Sequence, residues 1–171
     1  DRSPSRGLGD VYKRQPDFKE VLSYSKTAVK KSIKSSLSQY NNKVLYGSNE
    51  GVFYYNLASS DFKKDSILSG LYSFTGYISG KLINANNKLF AFTNNNISYV
   101  QREKLSANYE LFSIPIPNSV RETKDGYENI LYLGEDKYLI GTTSGYIITD
   151  LKTRNKSSYT IKLDGITSHA V

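Results

Sequence analysis

Lys137-Tyr138-Leu139-Ile140-Gly141-Thr142-Thr143-Ser144-Gly145-Tyr146-Ile147-Ile148-Thr149-Asp150 reads as two short β-strands joined by a tight turn. Two earlier stretches align with it without a gap. One is Lys43-Val44-Leu45-Tyr46-Gly47-Ser48-Asn49-Glu50-Gly51-Val52-Phe53-Tyr54-Tyr55-Asn56. The other is Lys88-Leu89-Phe90-Ala91-Phe92-Thr93-Asn94-Asn95-Asn96-Ile97-Ser98-Tyr99-Val100-Gln101. Their lysines lie 45 and 49 residues apart. In each copy apolar β-formers fill the first strand, as burial between stacked sheets requires. A hydroxyl follows (Ser48, Thr93, Thr142), and the turn ends on Gly51, Asn96 or Gly145. Glycine adopts positive φ without steric penalty and asparagine is the best tolerated substitute, so these turns are expected to be left-handed there.

A repeat of this length built from strands matches the four-stranded blade of a β-propeller. Flanking strands complete each copy. Inner strands are expected at Lys34 to Ser38, Ile78 to Asn84 and Asn129 to Leu133, and outer strands at Asp61 to Asp65, Tyr109 to Ile114 and Ser158 to Leu163. The expected fold is therefore all-β: a β-propeller fragment of about three four-stranded antiparallel blades in an open arc. The competing reading is a β-sandwich with recurring hairpins. Blades are assigned to 34–77, 78–127 and 128–163, the end of a preceding blade to 16–33, and the start of the next unit to 164–171. Gly47, Ser48, Gly51, Thr93, Asn96, Gly141, Thr142 and Gly145 are the structural hairpin-turn residues.

The segment Gly141-Thr142-Thr143-Ser144-Gly145 with Ile147 and Asp150 resembles the Gly-Thr-x-x-Gly-hydrophobic core of the two-component-regulator propeller repeat. Gly47-Ser48-Asn49-Glu50-Gly51 is a second match, and Phe92 to Asn96 is degenerate. The family usually carries a tryptophan just before the glycine-threonine pair; here Leu45, Leu89 and Leu139 occupy that neighbourhood. Over roughly Lys34 to Leu163 the chain is similar to the propeller section of bacterial membrane-bound regulators with a triple-tyrosine domain and a helix-turn-helix domain. That resemblance implies a non-catalytic extracytoplasmic sensor segment on the periplasmic or extracellular side of a membrane-anchored protein. Its implied partners are the remaining blades and the downstream signalling domains, with a small molecule or glycan as ligand. It implies no direct nucleic-acid contact, and a membrane only through other parts of the parent.

Asp10 to Gln15 resembles one translated frame of the transposase end used in sequencing libraries, and Asp1-Arg2 fits another frame. Residues 1–15 are therefore read as adaptor-derived, expected to pack on nothing, and set aside from fold reasoning. Gly7-x-Gly9 goes with them as a phosphate-loop candidate. The remaining 156 residues keep a charge of +5 of the chain's +7, because residues 1–15 hold four basic and two acidic groups. There is no methionine, and a propeller closes with typically 4–8 blades. The chain is therefore expected to be a fragment at both ends, poorly soluble when isolated.

With no cysteine and a single histidine, His169, the chain excludes disulfides and thiolate metal sites and offers no serine–histidine–acid triad or zinc set within itself. Asp61, Asp65, Glu50 and Glu135 sit near turns, where acidic residues are ordinary. No cofactor and no catalytic or metal-binding residue is assigned. Lys26, Lys30, Lys31 and Lys34 form the one basic cluster and read as a solvated face. Asn96-Ile97-Ser98 and Asn155-Lys156-Ser157 fit the glycosylation sequon. Two connections stand out: Ile67 to Tyr77, too apolar for a solvated loop and expected over one rim, and Pro115 to Glu128, the longest. A long loop on a rigid β-scaffold is where binding residues tend to sit. The alternative function is a propeller segment of a secreted carbohydrate-active enzyme or adhesion protein.

Overall fold

Directly before each repeat lysine stand two residues with positive φ: Asn41-Asn42 (47°, 59°), Asn86-Asn87 (50°, 58°) and Glu135-Asp136 (51°, 59°). Two consecutive left-handed residues between paired strands form a type I′ hairpin turn, whose twist matches that of the flanking strands. In the computed structural model, which describes residue 29 and residues 32–72, 76–103 and 108–152, these turns open three antiparallel sheets. The first is a meander of β1 (Ser36–Tyr40), β2 (Lys43–Ser48), β3 (Gly51–Asn56) and β4 (Asp61–Asp65). The second repeats it with β5 (Tyr77–Ala85), β6 (Lys88–Thr93), β7 (Ile97–Arg102) and β8 (Tyr109–Ile114). In the third, β9 (Ile130–Gly134), β10 (Lys137–Gly141) and β11 (Tyr146–Asp150) pair in order. The chain is thus all-β, with eleven strands among the described residues. The outer strand expected at Ser158 to Leu163, the adaptor-like residues 1–15 with Val11 and Tyr12, the segment 16–28, and 164–171 lie outside them.

The period-two alternation of strands decides the packing. In β6 both faces are apolar and all six residues are buried. Leu89 and Ala91 point one way and join Leu45, Val52, Leu82 and Val100 in the core between the first two sheets. Phe90 and Phe92 point the other way and join Ile97, Tyr99, Ile130, Tyr138 and Ile140 between the second and third. Tyr138 seals that layer, its ring 5.1 Å from Phe90. The first strands of successive sheets lie side by side, β1 along β5 and β5 beside β9.

The short helix α1 (Ser66–Ser69) and a 3₁₀ turn (Gly70–Tyr72) join the first sheet to the second. Asp65 caps α1, its Oδ1 accepting from the amides of Ile67 at 3.1 Å and Leu68 at 2.9 Å, a standard use of a short polar side chain at a helix start. Leu68 and Leu71 enter the core between the sheets, so the segment fills an interlayer space as well as closing an end. Ser69 pins it to β3, its hydroxyl accepting from Val52 N at 3.0 Å and donating to Val52 O at 3.2 Å.

Two contacts set the spacing of the layers. Beside β2, Gly80 meets Gly47 backbone to backbone: a Cβ on Gly80 would stand 2.2 Å from the Gly47 carbonyl oxygen. Between the second and third sheets, Lys88 Nζ donates to Asp136 Oδ1 at 2.7 Å and to the Tyr138 hydroxyl at 3.1 Å. Burial pulls the Lys88 pKa down, but the hydrogen bonds to Asp136 and Tyr138 and their charges outweigh it, leaving the group above its ordinary value.

Gly80→Ala is expected to destabilise the chain by about 2–3 kcal/mol, because neither backbone can yield without moving a sheet; urea unfolding measures it. Asp136→Asn is expected to cost about 1–2 kcal/mol at neutral pH, a modest figure since the carboxylate is partly in water. A lysine whose folded pKa is raised stabilises fully below its unfolded value, and that contribution is lost as pH rises through the folded value. The stability gap between wild type and Asp136→Asn therefore closes in the alkaline range, which denaturant titrations at stepped pH will show.

Candidate functional site

Pro115 and Pro117 fix the chain's exit from β8, and Ile116 between them is buried. The amide of Asn118 then donates to the Asn94 carbonyl at 2.7 Å, which starts a single helical turn, α2 (Asn118–Arg121), against the end of the second sheet. Glu122 ends that turn in the left-handed region, φ 49°, its amide donating to Asn118 O at 2.6 Å. So short a turn, anchored at both ends, directs Arg121 inward. The side chain is 0% exposed. Its Nη2 donates to the Thr93 carbonyl, and the guanidinium lies over the Phe92 ring, 5.4 Å from the centroid.

Seven residues later Glu128 is 1% exposed, and its Oε1 accepts from Ser79 Oγ at 2.9 Å. Between the two, the connection touches every sheet. Asp125 forms an ion pair with Lys34, just before β1. The Gly126 carbonyl accepts from Lys81 Nζ on β5 at 3.4 Å. The Arg121 carbonyl accepts from Thr143 N at 3.3 Å, and Thr143 Oγ1 donates to Glu122 O. Asn129 Oδ1 accepts from Gly141 N at 3.1 Å, completing the attachment to β10.

Within this cluster several polar atoms are enclosed without a hydrogen-bond partner: Arg121 Nε and Nη1, Glu128 Oε2 and the Tyr72 hydroxyl. Such atoms are rare, and each costs on the order of 1–3 kcal/mol. Burial lowers the Arg121 pKa to about 10, and the negative charge of Glu128 partly offsets that; the group stays protonated at neutral pH. Burial raises Tyr72 far above its ordinary range, with Tyr77 and Glu128 adding to the effect. Tyr77 is raised as well, mainly by burial, and donates its hydroxyl to Lys34 O at 3.0 Å. Arg121, Tyr72 and Tyr77 all feel Glu128. The arrangement can hold polar groups and fix a loop. Ser79 and Glu128 are both closed to solvent, so that pair has no room for a substrate.

The turn residues singled out from the sequence stand at this same end of the sheets. Ser48 Oγ donates to Gly51 O at 3.3 Å and accepts from Glu50 N at 3.2 Å. Thr93 Oγ1 donates to Asn96 O at 3.0 Å, and Thr142 N to Gly145 O at 2.9 Å. Gly47 and Gly141 are close-approach positions, against Gly80 and Asn129. The expected left-handed turn end occurs in one copy only. Gly51 has φ +124°, whereas Asn96 and Gly145 are outside the left-handed region. Asn96 earns its place through its side chain, which bonds Thr93 Oγ1 and Ser113 Oγ on β8. That amide is buried, so its sequon offers no glycosylation site in the folded chain. Lys34 of the basic cluster is paired with Asp125, and Asp61 and Asp65 accept from nearby backbone amides. His169 and Asn155 lie outside the described residues.

Arg121 and Glu128 were not singled out in the sequence; the proline pair before them and Gly126 between them mark a loop and give no sign of burial. Among the described residues no three His, Cys, Asp or Glu side chains gather in a metal-ligand group, and no helix is long and apolar enough to cross a membrane. No protein-family model matches the chain, and no curated protein matches it.

Arg121→Met removes the hydrogen bond to the Thr93 carbonyl and the contact with Phe92, and Glu128→Gln weakens the acceptor of the Ser79 hydroxyl; each is expected to destabilise by about 1–2 kcal/mol. Because the negative charge of Glu128 favours the buried guanidinium, the double variant should lose somewhat less than the sum of the two. A double-mutant cycle from urea unfolding reads this directly.

Proposed function

We propose that the three sheets are consecutive blades of a β-propeller and that the chain is a non-catalytic sensor segment. In this reading it binds a small molecule or glycan on the extracytoplasmic side of a membrane-anchored bacterial regulator. The observation that carries the proposal is the Pro115–Asn129 connection, which bonds Lys34 just before β1, Lys81 on β5, and Gly141 and Thr143 at the end of β10. The gap-free repeat and the side-by-side first strands support the propeller. The likeness of Gly141 to Gly145 to the regulator repeat supports the sensor role.

A ligand shifts a conformational equilibrium only by its differential affinity for the two states. The connection suits that task. Its outer part, around Lys124 and the exposed Tyr127, faces solvent, while Arg121 and Glu128 root it in the interior. A ligand bound to the outer part would act on neighbouring sheets through those roots. The remaining blades and the signalling domains of the parent would be its partners, with no nucleic acid touched by this segment.

Long-read sequencing of the source DNA tests the proposal. Further repeats, a tyrosine-rich domain, a membrane helix and a helix-turn-helix in the same frame are the expected result. A secretion signal with histidines and carboxylates gathered on the first strands of a self-contained propeller would overturn it in favour of a secreted enzyme.

A further inference from the structure

The outer part of the Pro115–Asn129 connection is a single tight turn. Tyr127 N donates to Lys124 O at 2.9 Å, which leaves Asp125 and Gly126 as the two central residues. Gly126 has φ +85° and Asp125 is not among the positive-φ residues, the pattern of a type II turn. Gly126 is exposed, and nothing lies within 4 Å of where a side chain on it would begin. The Asp125 carboxylate is paired with Lys34 Nζ, and both side chains are partly in water, 33% and 48% exposed.

An aspartate carboxyl carbon can close a five-membered ring with the amide nitrogen of the next residue. Glycine in that place puts no side chain beside the nitrogen and lets the backbone turn freely. Asp125 is the one aspartate among the described residues that precedes a glycine; Asp61, Asp65, Asp136 and Asp150 precede Phe62, Ser66, Lys137 and Leu151. We propose that Asp125-Gly126 is a self-modification site, where the chain converts aspartate to isoaspartate, and that the pair with Lys34 restrains the conversion. The Gly126 nitrogen bonds to Asp125 Cγ, its proton leaves with the carboxyl hydroxyl as water, and a succinimide forms. Water then opens the ring. Attack at Cγ restores aspartate. Attack at the Asp125 main-chain carbonyl carbon breaks its bond to nitrogen, and the main chain then runs through Cβ and Cγ. The water lost in the first step returns in the second, so no oxidant, reductant or other co-reactant is needed.

Two groups must move for the ring to close. The carboxylate has to leave Lys34, and the Gly126 nitrogen has to rotate out of the turn. An exposed ion pair is a weak restraint, the turn holds by one bond between Lys124 and Tyr127, and the hydrogen bond from Lys81 Nζ to the Gly126 carbonyl is long at 3.4 Å. Conversion lengthens the main chain by one carbon and shortens the side carboxylate by one, so the turn bond and the reach to Lys34 are lost. Arg121, Glu128 and Asn129 keep their own partners on Thr93, Ser79 and Gly141. Isoaspartate therefore unties the connection from Lys34 and leaves its other attachments in place.

Incubation of the full chain at neutral pH and physiological temperature for weeks tests this. A lysine-specific protease then releases residues 125–137 as one peptide, whose two isomers have equal mass. Chromatography separates them and electron-transfer fragmentation tells them apart. Isoaspartate rising with time at position 125 is expected. Lys34→Ala should raise its rate about two- to fivefold, the range an exposed ion pair can supply, and Lys34→Arg should keep the wild-type rate. The Lys34 side chain is half in solvent, so the fold is expected to survive, and far-UV circular dichroism checks it. Asp125→Glu, which would need a six-membered ring, should yield no isomer. A folded chain that gains no isoaspartate at position 125, or a Lys34→Ala chain that gains it no faster than wild type, would overturn the proposal. The chemistry does not rest on the sensor reading, which is decided by the parent sequence.

Discussion

Every layer of this protein depends on β-strands that are apolar on both faces. A strand with one apolar face needs one partner surface; a strand like β6 needs two, and receives them from the sheets on either side. The sheets are therefore layers in a stack, and none has a core of its own. The polar contacts that cross between layers stand at their ends: Tyr40 donating to Asn87 O at 3.1 Å, Lys88 to Asp136, and the Pro115–Asn129 connection. Apolar burial drives the stacking, and these end contacts fix the register of one layer on the next.

Against that apolar background the Arg121–Glu128 cluster is costly. A fully buried guanidinium with two unpaired nitrogens and a buried carboxylate with one unpaired oxygen work against stability. They hold the connection in one place, since Arg121 cannot leave Thr93 and Phe92 without carrying its whole helical turn along. Strained or under-satisfied groups gather where a structure does something besides fold, and here they gather beneath the longest loop.

How much of this was legible depended on whether a residue's partner was close in sequence. The strand periodicity, the repeat spacing and the hydroxyl three residues before the turn's end are local signals, and β4 at Asp61–Asp65 and β8 at Tyr109–Ile114 lie where the pattern puts them. The type I′ turns at Asn41-Asn42 and Asn86-Asn87 were just as local, but a repeat frame opened at the lysine leaves them outside. Glu135-Asp136 does the same work without the usual composition. Asn96 was given a backbone role on residue type alone, while its actual role lies in contacts to Thr93 and to the distant Ser113. Arg121 and Glu128 gave no signal at all, because an arginine between a proline and a glycine looks solvent-exposed until Phe92 and the Thr93 carbonyl of β6 are seen beside it.

One position sets the second copy apart from the other two. Gly47, Phe92 and Gly141 are equivalent in the alignment. The glycine of the first copy lets two backbones touch at Gly80; the phenylalanine of the second keeps the next layer away and gives Arg121 a surface to lie on. β5 accordingly runs close along β1 and only loosely beside β9. The second repeat, at 49 residues, is four longer than its predecessor. The copies therefore differ in the size of the residue that each turns toward the next layer. Asymmetry of that kind gives an otherwise uniform stack a single address at which a new loop can be kept.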